Sequence, residues 1–170
     1  LEVRGKPLIS CVVDALLGAS SIGHVFVVGP ARELLESLAG YPGRVRVINQ
    51  RGKMLSNCWA GIEASEDLHR YDTTIPLRQR PILIISCDLP LVTARSIDDF
   101  IGRCAKQDNA ADQPFAMHAG VVDEPSVRPF HPDGDKPGIK RPFVELEFGR
   151  LRLANIYVGR PRNLANQEFL

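Results

Sequence analysis

Two short, almost wholly apolar runs constrain the fold of this 170-residue chain more than any other feature of its sequence. They are residues 24–29 (HVFVVG) and residues 81–86 (PILIIS). Strands that are apolar on both faces are typical of parallel sheets covered by helices on both sides. Segments with helical spacing of apolar residues alternate with strand-like runs, at residues 7–18, 31–38, 54–64 and 96–105. The alternation predicts an α/β fold, a three-layer α/β/α sandwich with a mainly parallel sheet.

The last third of the chain departs from this alternation. Residues 125–142 are rich in Pro, Gly and Asp, which is typical of a long loop. Residues 143–148 and 151–158 then alternate as strands do and meet at Gly149, which predicts a late antiparallel hairpin. Because no internal repeat and no second domain are evident, we expect residues 1–170 to form a single domain.

Composition limits the classes of partner. Lysine and arginine together number 21 against 20 aspartates and glutamates, a net charge of +1, so no basic surface for nucleic acid is indicated. No apolar stretch approaches the roughly 18 residues that cross a bilayer, so a membrane partner is not expected. The four cysteines are scattered within apolar runs, where a free thiol behaves as a small hydrophobic group. This pattern favours a cytoplasmic protein.

Asp88 is the most informative polar residue, because it follows residues 81–86 almost directly. Ligands of open α/β sheets bind beyond the carboxyl ends of the strands. A carboxylate there suits Mg²⁺, which takes one or two carboxylates together with substrate phosphates. Pro90 disfavours a helical conformation at Leu89, so the chain turns away and leaves Asp88 presented. On position alone, a turn-forming aspartate explains the residue equally well.

Two further groups lie where helices are predicted to begin. Lys6 precedes Pro7 at the start of the first helix, where exposed backbone amides and a lysine can meet a phosphate. Residues 49–62 place Lys53 in a glycine-containing loop, with Ser56 and Asn57 in the first turn of the next helix, a setting that can receive a base edge. A solvated lysine and an ordinary capped helix would explain the same patterns.

A last basic group precedes the predicted hairpin. Lys136, Lys140 and Arg141 lead into the strand pair that carries Asn155, and these cations could serve a second phosphorylated substrate. A solvated basic loop is an equally good explanation. No dinucleotide-binding or P-loop glycine motif occurs in the chain, and its four histidines show no metal-ligand spacing.

Taken in order, these segments resemble the MobA-like NTP transferase family of GT-A-fold nucleotidyltransferases. Residues 3–9 (VRGKPLI) resemble the family segment that ends in a pattern like G-K-P-L-I. Residues 86–91 (SCDLPL) match the strand-end pattern of the family's metal aspartate, and residues 53–62 are similar to its base-recognition loop and helix. Residues 143–157 resemble a hairpin where relatives often show a Gly-Asn pair, with Ala154 in place of the glycine.

The resemblance implies a Mg²⁺-dependent nucleotidyltransferase. It would move a nucleoside monophosphate from an NTP to a phosphorylated small-molecule acceptor and release pyrophosphate. The implied roles are catalysis for Asp88 and Lys6, metal binding for Asp88, nucleotide binding for Asn49, Lys53, Ser56 and Asn57, and acceptor binding for Arg141 and Asn155.

Two departures from the family pattern shape the alternatives. The family's glycine-rich phosphate loop and its strand would precede Leu1, and a second metal ligand has no clear match. We therefore expect a domain truncated at its N-terminus, with residues 1–170 inactive by themselves. A GT-A glycosyltransferase is a weaker alternative, because Pro90 stands where a second acid of a D-x-D motif would lie. A catalytically silent nucleotide-binding domain of the same fold is another, and the sequence is compatible with a homo-oligomer.

Overall fold

A computed structural model describes residues 2–71, 74–138, 142–147 and 149–164. The chain begins with a small antiparallel pair, β1 (Glu2–Val3) and β2 (Lys6–Pro7), joined through Arg4 and Gly5. Both turn residues have positive φ, 52° and 74°, as the tightest hairpin turns require. Helix α1 (Leu8–Gly18) follows at once, and Pro7 occupies its N-cap position.

The first half of the chain contains a βαβ unit. Strands β3 (Val25–Gly29) and β4 (Val45–Asn49) pair in parallel, with helix α2 (Ala31–Ser37) between them in sequence. Helix α3 (Met54–Leu68) follows β4 and packs on β3, where a Cβ at Gly61 would lie 3.2 Å from Val28. The buried face of β3 opposite Val28 carries Val25 and Val27, which enter the main core.

The second half forms a separate, antiparallel sheet. Its elements are β5 (Ile82–Ile85), α4 (Ala94–Ala110), β6 (Met117–Asp123), α5 (Glu124–Val127), β7 (Val144–Leu146) and β8 (Gly149–Gly159). Strand β8 lies between β5 and β6 and is antiparallel to both, and β7 pairs with its first residues. Single 3-10 turns lie at Leu77–Gln79, Arg128–Phe130 and Pro161–Asn163.

One hydrophobic core joins the two sheets. Helix α1 contributes Val12 and Val13, and α4 contributes Ile97, and these three side chains are almost fully buried. Val25 and Val27 of β3 belong to the same cluster, and Leu83 and Ile85 of β5 pack against it. Helices α1 and α4 therefore form a common layer over both sheets. Thr93 begins α4 with a capping box, in which its side chain and that of Ser96 bond to each other's backbone N–H.

The structure confirms a mixed α/β fold and the late hairpin at Gly149. It does not confirm a mainly parallel sheet, because β3 and β4 are the one parallel pair among the strands described. The insertion of β8 between β5 and β6 makes every described pairing of the second sheet antiparallel, and among the described strands it leaves β5 at an edge. Short helical turns also interrupt the predicted loop after residue 124. No helix in the described ranges is both long and apolar enough to cross a membrane.

Candidate active site

Asp88 is an exposed carboxylate just beyond the end of β5. The strand ends at Ile85, and the chain then turns through Leu89 to Val92, whose N–H bonds to the Leu89 carbonyl at 3.1 Å. Within the described part of the chain, the Asp88 carboxylate has no hydrogen-bond or ion-pair partner. A free carboxylate at this edge is available to a cation or to a substrate, as the position after β5 predicts.

Asn155 lies beside the same strand end. Its carbonyl accepts a hydrogen bond from the backbone N–H of Ser86 at 3.0 Å, two residues before Asp88. Its backbone adopts a left-handed conformation with φ of 55°, which Asn tolerates better than most residues. The register between β6 and β8 shifts at this point, so Asn155 occupies an irregular segment of β8. The structure therefore brings the predicted acceptor residue Asn155 into contact with Ser86, two residues before the predicted metal residue Asp88.

The predicted nucleotide residues line the turn from β4 into α3. The Asn49 side-chain oxygen accepts the Ala31 N–H at 3.4 Å and so links the end of β4 to the start of α2. The Asn57 side-chain oxygen accepts the Arg51 N–H at 2.6 Å, and the Asn57 N–H donates to the Lys53 carbonyl at 2.9 Å. The Asn49 oxygen is therefore engaged by the start of α2 and the Asn57 oxygen by the turn itself, while the NH₂ groups of both bond to no other described residue and are left for a ligand.

The remaining residues of this turn differ in their ion pairs and in their burial. Gly52 has a φ of 89°, a conformation that glycine adopts without steric cost. Arg51 forms an ion pair with Glu63 at 2.6 Å. Lys53 is exposed and makes no ion pair with any other residue the structure describes, while Ser56 is half-buried in the first turn of α3. Lys53 is thus the unengaged cation of this turn.

Lys6 is held in an ion pair at the beginning of α1. Its ammonium bonds to the Asp14 carboxylate, and the Tyr41 hydroxyl donates to the same carboxylate at 2.8 Å. The bond to Asp14 raises the pKa of Lys6 above its ordinary value. Burial raises the pKa of Asp14, but the bonds from Lys6 and Tyr41 outweigh it and lower the pKa overall. Helix α1 itself begins with no side-chain cap and no acidic residue in its first turn.

The structure leaves two members of the predicted basic group undescribed. Lys140 and Arg141 lie outside the described residues, so the predicted acceptor role of Arg141 has no structural account. Lys136 is described, and its ammonium bonds to the Pro129 carbonyl within the loop after α5. Of the two predicted acceptor-binding residues, Asn155 is therefore the one with a defined position.

At the end of β5, the structure offers Mg²⁺ the exposed carboxylate of Asp88. No group of three or more His, Cys, Asp or Glu side chains within the described ranges could hold a metal ion. Mg²⁺ nevertheless keeps several waters and is often bound through one or two carboxylates together with substrate phosphates. An exposed, unpaired Asp88 fits that kind of binding, in which phosphate oxygens and water supply the remaining ligands.

Sequence reasoning missed two residues that the geometry brings into the site. Asp14, eight residues after Lys6, holds that lysine in an ion pair, and an exposed acid on a mostly apolar helix was the available signal. Gly120 of β6 faces the irregular segment of β8 that carries Asn155. A glycine within a strand pattern often marks a bulge or a close backbone approach, so the signal for Gly120 was present as well.

Comparison with known proteins identifies the family. Residues 1–129 match the family model of the MobA-like NTP transferase domain. A solved structure described as a hypothetical transferase from Thermus thermophilus has a similar fold, with a TM-score of 0.62 and 21% sequence identity. The match covers 94% of this chain and 55% of that one, so this chain spans about half the length of that structure. No curated protein matches the chain. Because the family model covers well over half of its residues, the chain belongs to the MobA-like NTP transferase family.

Proposed function

We propose that the protein is a nucleotidyltransferase that moves a nucleoside monophosphate from an NTP to a phosphorylated small-molecule acceptor. Membership of the NTP transferase family supports the reaction class. The observation that carries the proposal is the exposed carboxylate of Asp88 at the end of β5, two residues after Ser86, whose N–H bonds to the Asn155 carbonyl. If this carboxylate binds a substrate-bound cation, its replacement should lower turnover strongly. If it only forms a turn, its replacement should change turnover little.

The reaction needs no covalent protein intermediate. An acceptor phosphate oxygen attacks the α-phosphorus in line, a new P–O bond forms, and the bond from the α-phosphorus to the bridging oxygen breaks with release of pyrophosphate. Asp88 would hold Mg²⁺ together with phosphate oxygens and water, and the ion would offset negative charge on the phosphates. Positioning and electrostatic stabilisation then supply most of the acceleration, as in other phosphoryl transfers.

The chain's own groups divide between the two substrates. Asn49, Lys53, Ser56 and Asn57 line one turn, where free amide NH₂ groups and an unengaged cation can meet a nucleotide. Lys6 and the uncapped first turn of α1 offer positive charge and backbone N–H groups to phosphates. Asn155 would meet the acceptor beside Asp88, with Arg141 as the proposed cation on the same substrate.

We also propose that residues 1–170 belong to a single three-layer α/β/α domain of the GT-A type. Strands β3 and β5 lie in different sheets, but both contribute side chains to the same core beneath α1 and α4. A core that is shared by the two sheets supports one domain rather than two.

A cytoplasmic location is part of the proposal. Cys11, Cys58, Cys87 and Cys104 are all free thiols, and burial raises the pKa of Cys58 and of Cys104. Free thiols are typical of reducing compartments.

A screen of pyrophosphate release tests the function. Full-length protein would be incubated with each of four NTPs, Mg²⁺ and a panel of phosphorylated metabolites. We expect pyrophosphate to appear only when one NTP and one acceptor are both present. Release of a nucleoside diphosphate from a sugar nucleotide would instead indicate a glycosyltransferase. Nucleotide binding without turnover on any acceptor would indicate a silent domain and overturn the proposal.

Changing Lys6 to Met should raise the KM for the NTP by about tenfold, because one charge-assisted contact to a phosphate is lost. The ion pair with Asp14 makes a second variant informative, since Asp14→Asn frees the lysine and should keep the NTP KM near its normal value. Lys106→Met, which removes an exposed lysine on α4, serves as the control. If Lys6→Met and Lys106→Met give the same KM, Lys6 has no role in phosphate binding.

A further inference from the structure

Strand β8 contains a bulge beside the candidate site. Ala119 of β6 pairs with Tyr157 of β8, and Val121 pairs with Leu153. One residue of β6, Gly120, therefore faces three residues of β8, numbers 154–156, which we call the β8 bulge. Extra residues of this kind bend a strand and are frequent next to active sites, where they re-aim a side chain.

The β8 bulge needs a residue without a side chain opposite it. A Cβ on Gly120 would lie 2.4 Å from Ile156 Cγ2, 3.1 Å from the Ile156 carbonyl oxygen and 3.5 Å from Ala154 Cβ. The first distance is far below any real contact, and the γ2 methyl of a β-branched side chain is attached at the stiff χ1 bond. Gly120 does not have a positive φ, so its role is the space it leaves rather than its backbone freedom.

The same bulge connects to the end of β5. It includes Asn155 in its left-handed conformation, and the Asn155 carbonyl accepts the Ser86 N–H at 3.0 Å. Ser86 is the first residue after β5, two positions before Asp88. Displacement of the β8 bulge would therefore move the Asn155 side chain and loosen the segment that carries Asp88.

We infer that Gly120 is a positioning residue of the proposed active site: its missing side chain lets the β8 bulge form, and the bulge sets Asn155 and the segment from Ser86 to Asp88. The inference rests on the proposed function, in which Asp88 and Asn155 meet the substrates. Gly120 itself touches neither substrate and acts through Ile156 and Asn155.

The test compares Gly120→Ala with the double variant Gly120→Ala/Ile156→Leu in the full-length protein. Leucine has no methyl on Cβ, so the double variant removes the 2.4 Å conflict while it keeps the size of the side chain. We expect Gly120→Ala to lower kcat/KM for the acceptor by roughly tenfold or more, since small misplacements of reacting groups are costly. The double variant should recover most of that loss. The KM for the NTP should change little in either.

Two controls separate positioning from general damage. Gly102→Ala on α4, where an added Cβ meets nothing within 4 Å, should leave activity unchanged. Exchange of the Ser86 amide with solvent, followed by NMR or mass spectrometry, should become faster in Gly120→Ala and return toward normal in the double variant. This second readout does not need turnover, so it tests the inference even if the proposed function fails. Unchanged Ser86 exchange in Gly120→Ala, or faster exchange with unchanged kcat/KM, would overturn the inference.

Discussion

Changing Asp88 to Asn in the full-length protein is expected to lower turnover by roughly two or more orders of magnitude, the scale of losing one key electrostatic element of an active site. Asparagine keeps the size of the side chain and one of its acceptor oxygens but removes the charge that a cation requires. Because Asp88 is exposed and bonds to no other described residue, the melting temperature should change little. Turnover and melting temperature would be measured together, with Mg²⁺ titrated.

The size of the effect distinguishes the two explanations of Asp88. If the residue only shaped the turn before Leu89, Asn would serve nearly as well, since both residues suit turns. Asp112→Asn, at an exposed aspartate beyond α4, is the matched control and should retain full activity. Near-normal turnover of Asp88→Asn at low Mg²⁺ would remove Asp88 from the site and with it the main structural support for the proposed reaction.

The elements of this fold could be predicted from local patterns, but the arrangement of its strands could not. Apolar periodicity identified α1, α3 and the strands β3 and β5 to within a few residues, because burial of one helix face or both strand faces imposes a repeat on the sequence. The insertion of β8 between β5 and β6 depends on contacts between segments about 70 residues apart. No local pattern encodes that partner choice, so the antiparallel second sheet was missed.

The turn of the late hairpin could be predicted from the sequence, but the length and the partners of its second strand could not. Gly149 and the alternating residues on either side of it predicted where β7 gives way to β8, because glycine adopts a positive φ without steric cost and the φ of Gly149 is 143°. The sequence did not predict that β8 runs for 11 residues, from Gly149 to Gly159. Its first residues pair with β7, but the rest pair with β5 and β6, which are distant in sequence.

The positions of the candidate site residues could be predicted from the sequence, but their hydrogen-bond partners could not. Asp88 follows a buried strand and precedes a proline, and these two local signals locate it at an exposed strand end. Lys6 and Asn57 were also located by helix starts. Their hydrogen bonds to Asp14 and to the Arg51 N–H depend on side-chain geometry that spacing does not specify. Spacing alone therefore locates Lys6 at a helix start without revealing its partner.

Changing Asp108 to Ala is expected to lower the free energy of unfolding by about 3–5 kcal/mol, the usual cost of removing one partner of a buried ion pair. The side chains of Asp108 and Arg160 are 9% and 11% exposed and meet at 2.8 Å. His118 Nε2 lies 2.8 Å from Asp108 Oδ1, and the Phe115 N–H donates to the same oxygen at 3.0 Å. Asp108 thus links the end of α4 to β6 and to the residue after β8, and its loss leaves a buried guanidinium without its counter-charge.

Comparing Asp108→Ala with a variant that breaks an exposed ion pair on the same helix isolates the effect of burial. Asp99→Ala breaks the ion pair with Arg103, whose side chain is 75% exposed, and should cost no more than about 1 kcal/mol in chemical denaturation. Similar losses in the two variants would show that the Asp108 cluster contributes no more than a surface pair.

The stabilisation by Asp108 should also depend on pH. Burial raises the pKa of Asp108, but the bonds from His118, the Phe115 N–H and Arg160 outweigh it and lower the pKa below its ordinary value of 3.8. A carboxyl whose pKa is lowered on folding stabilises the protein above its unfolded pKa, and that contribution is lost as the pH falls through the folded pKa. The difference in unfolding free energy between wild type and Asp108→Ala should therefore be full near neutral pH and shrink below about pH 4. A difference that stays constant from pH 7 down to the acid transition would show that packing, rather than the charge of Asp108, stabilises this end of the sheet.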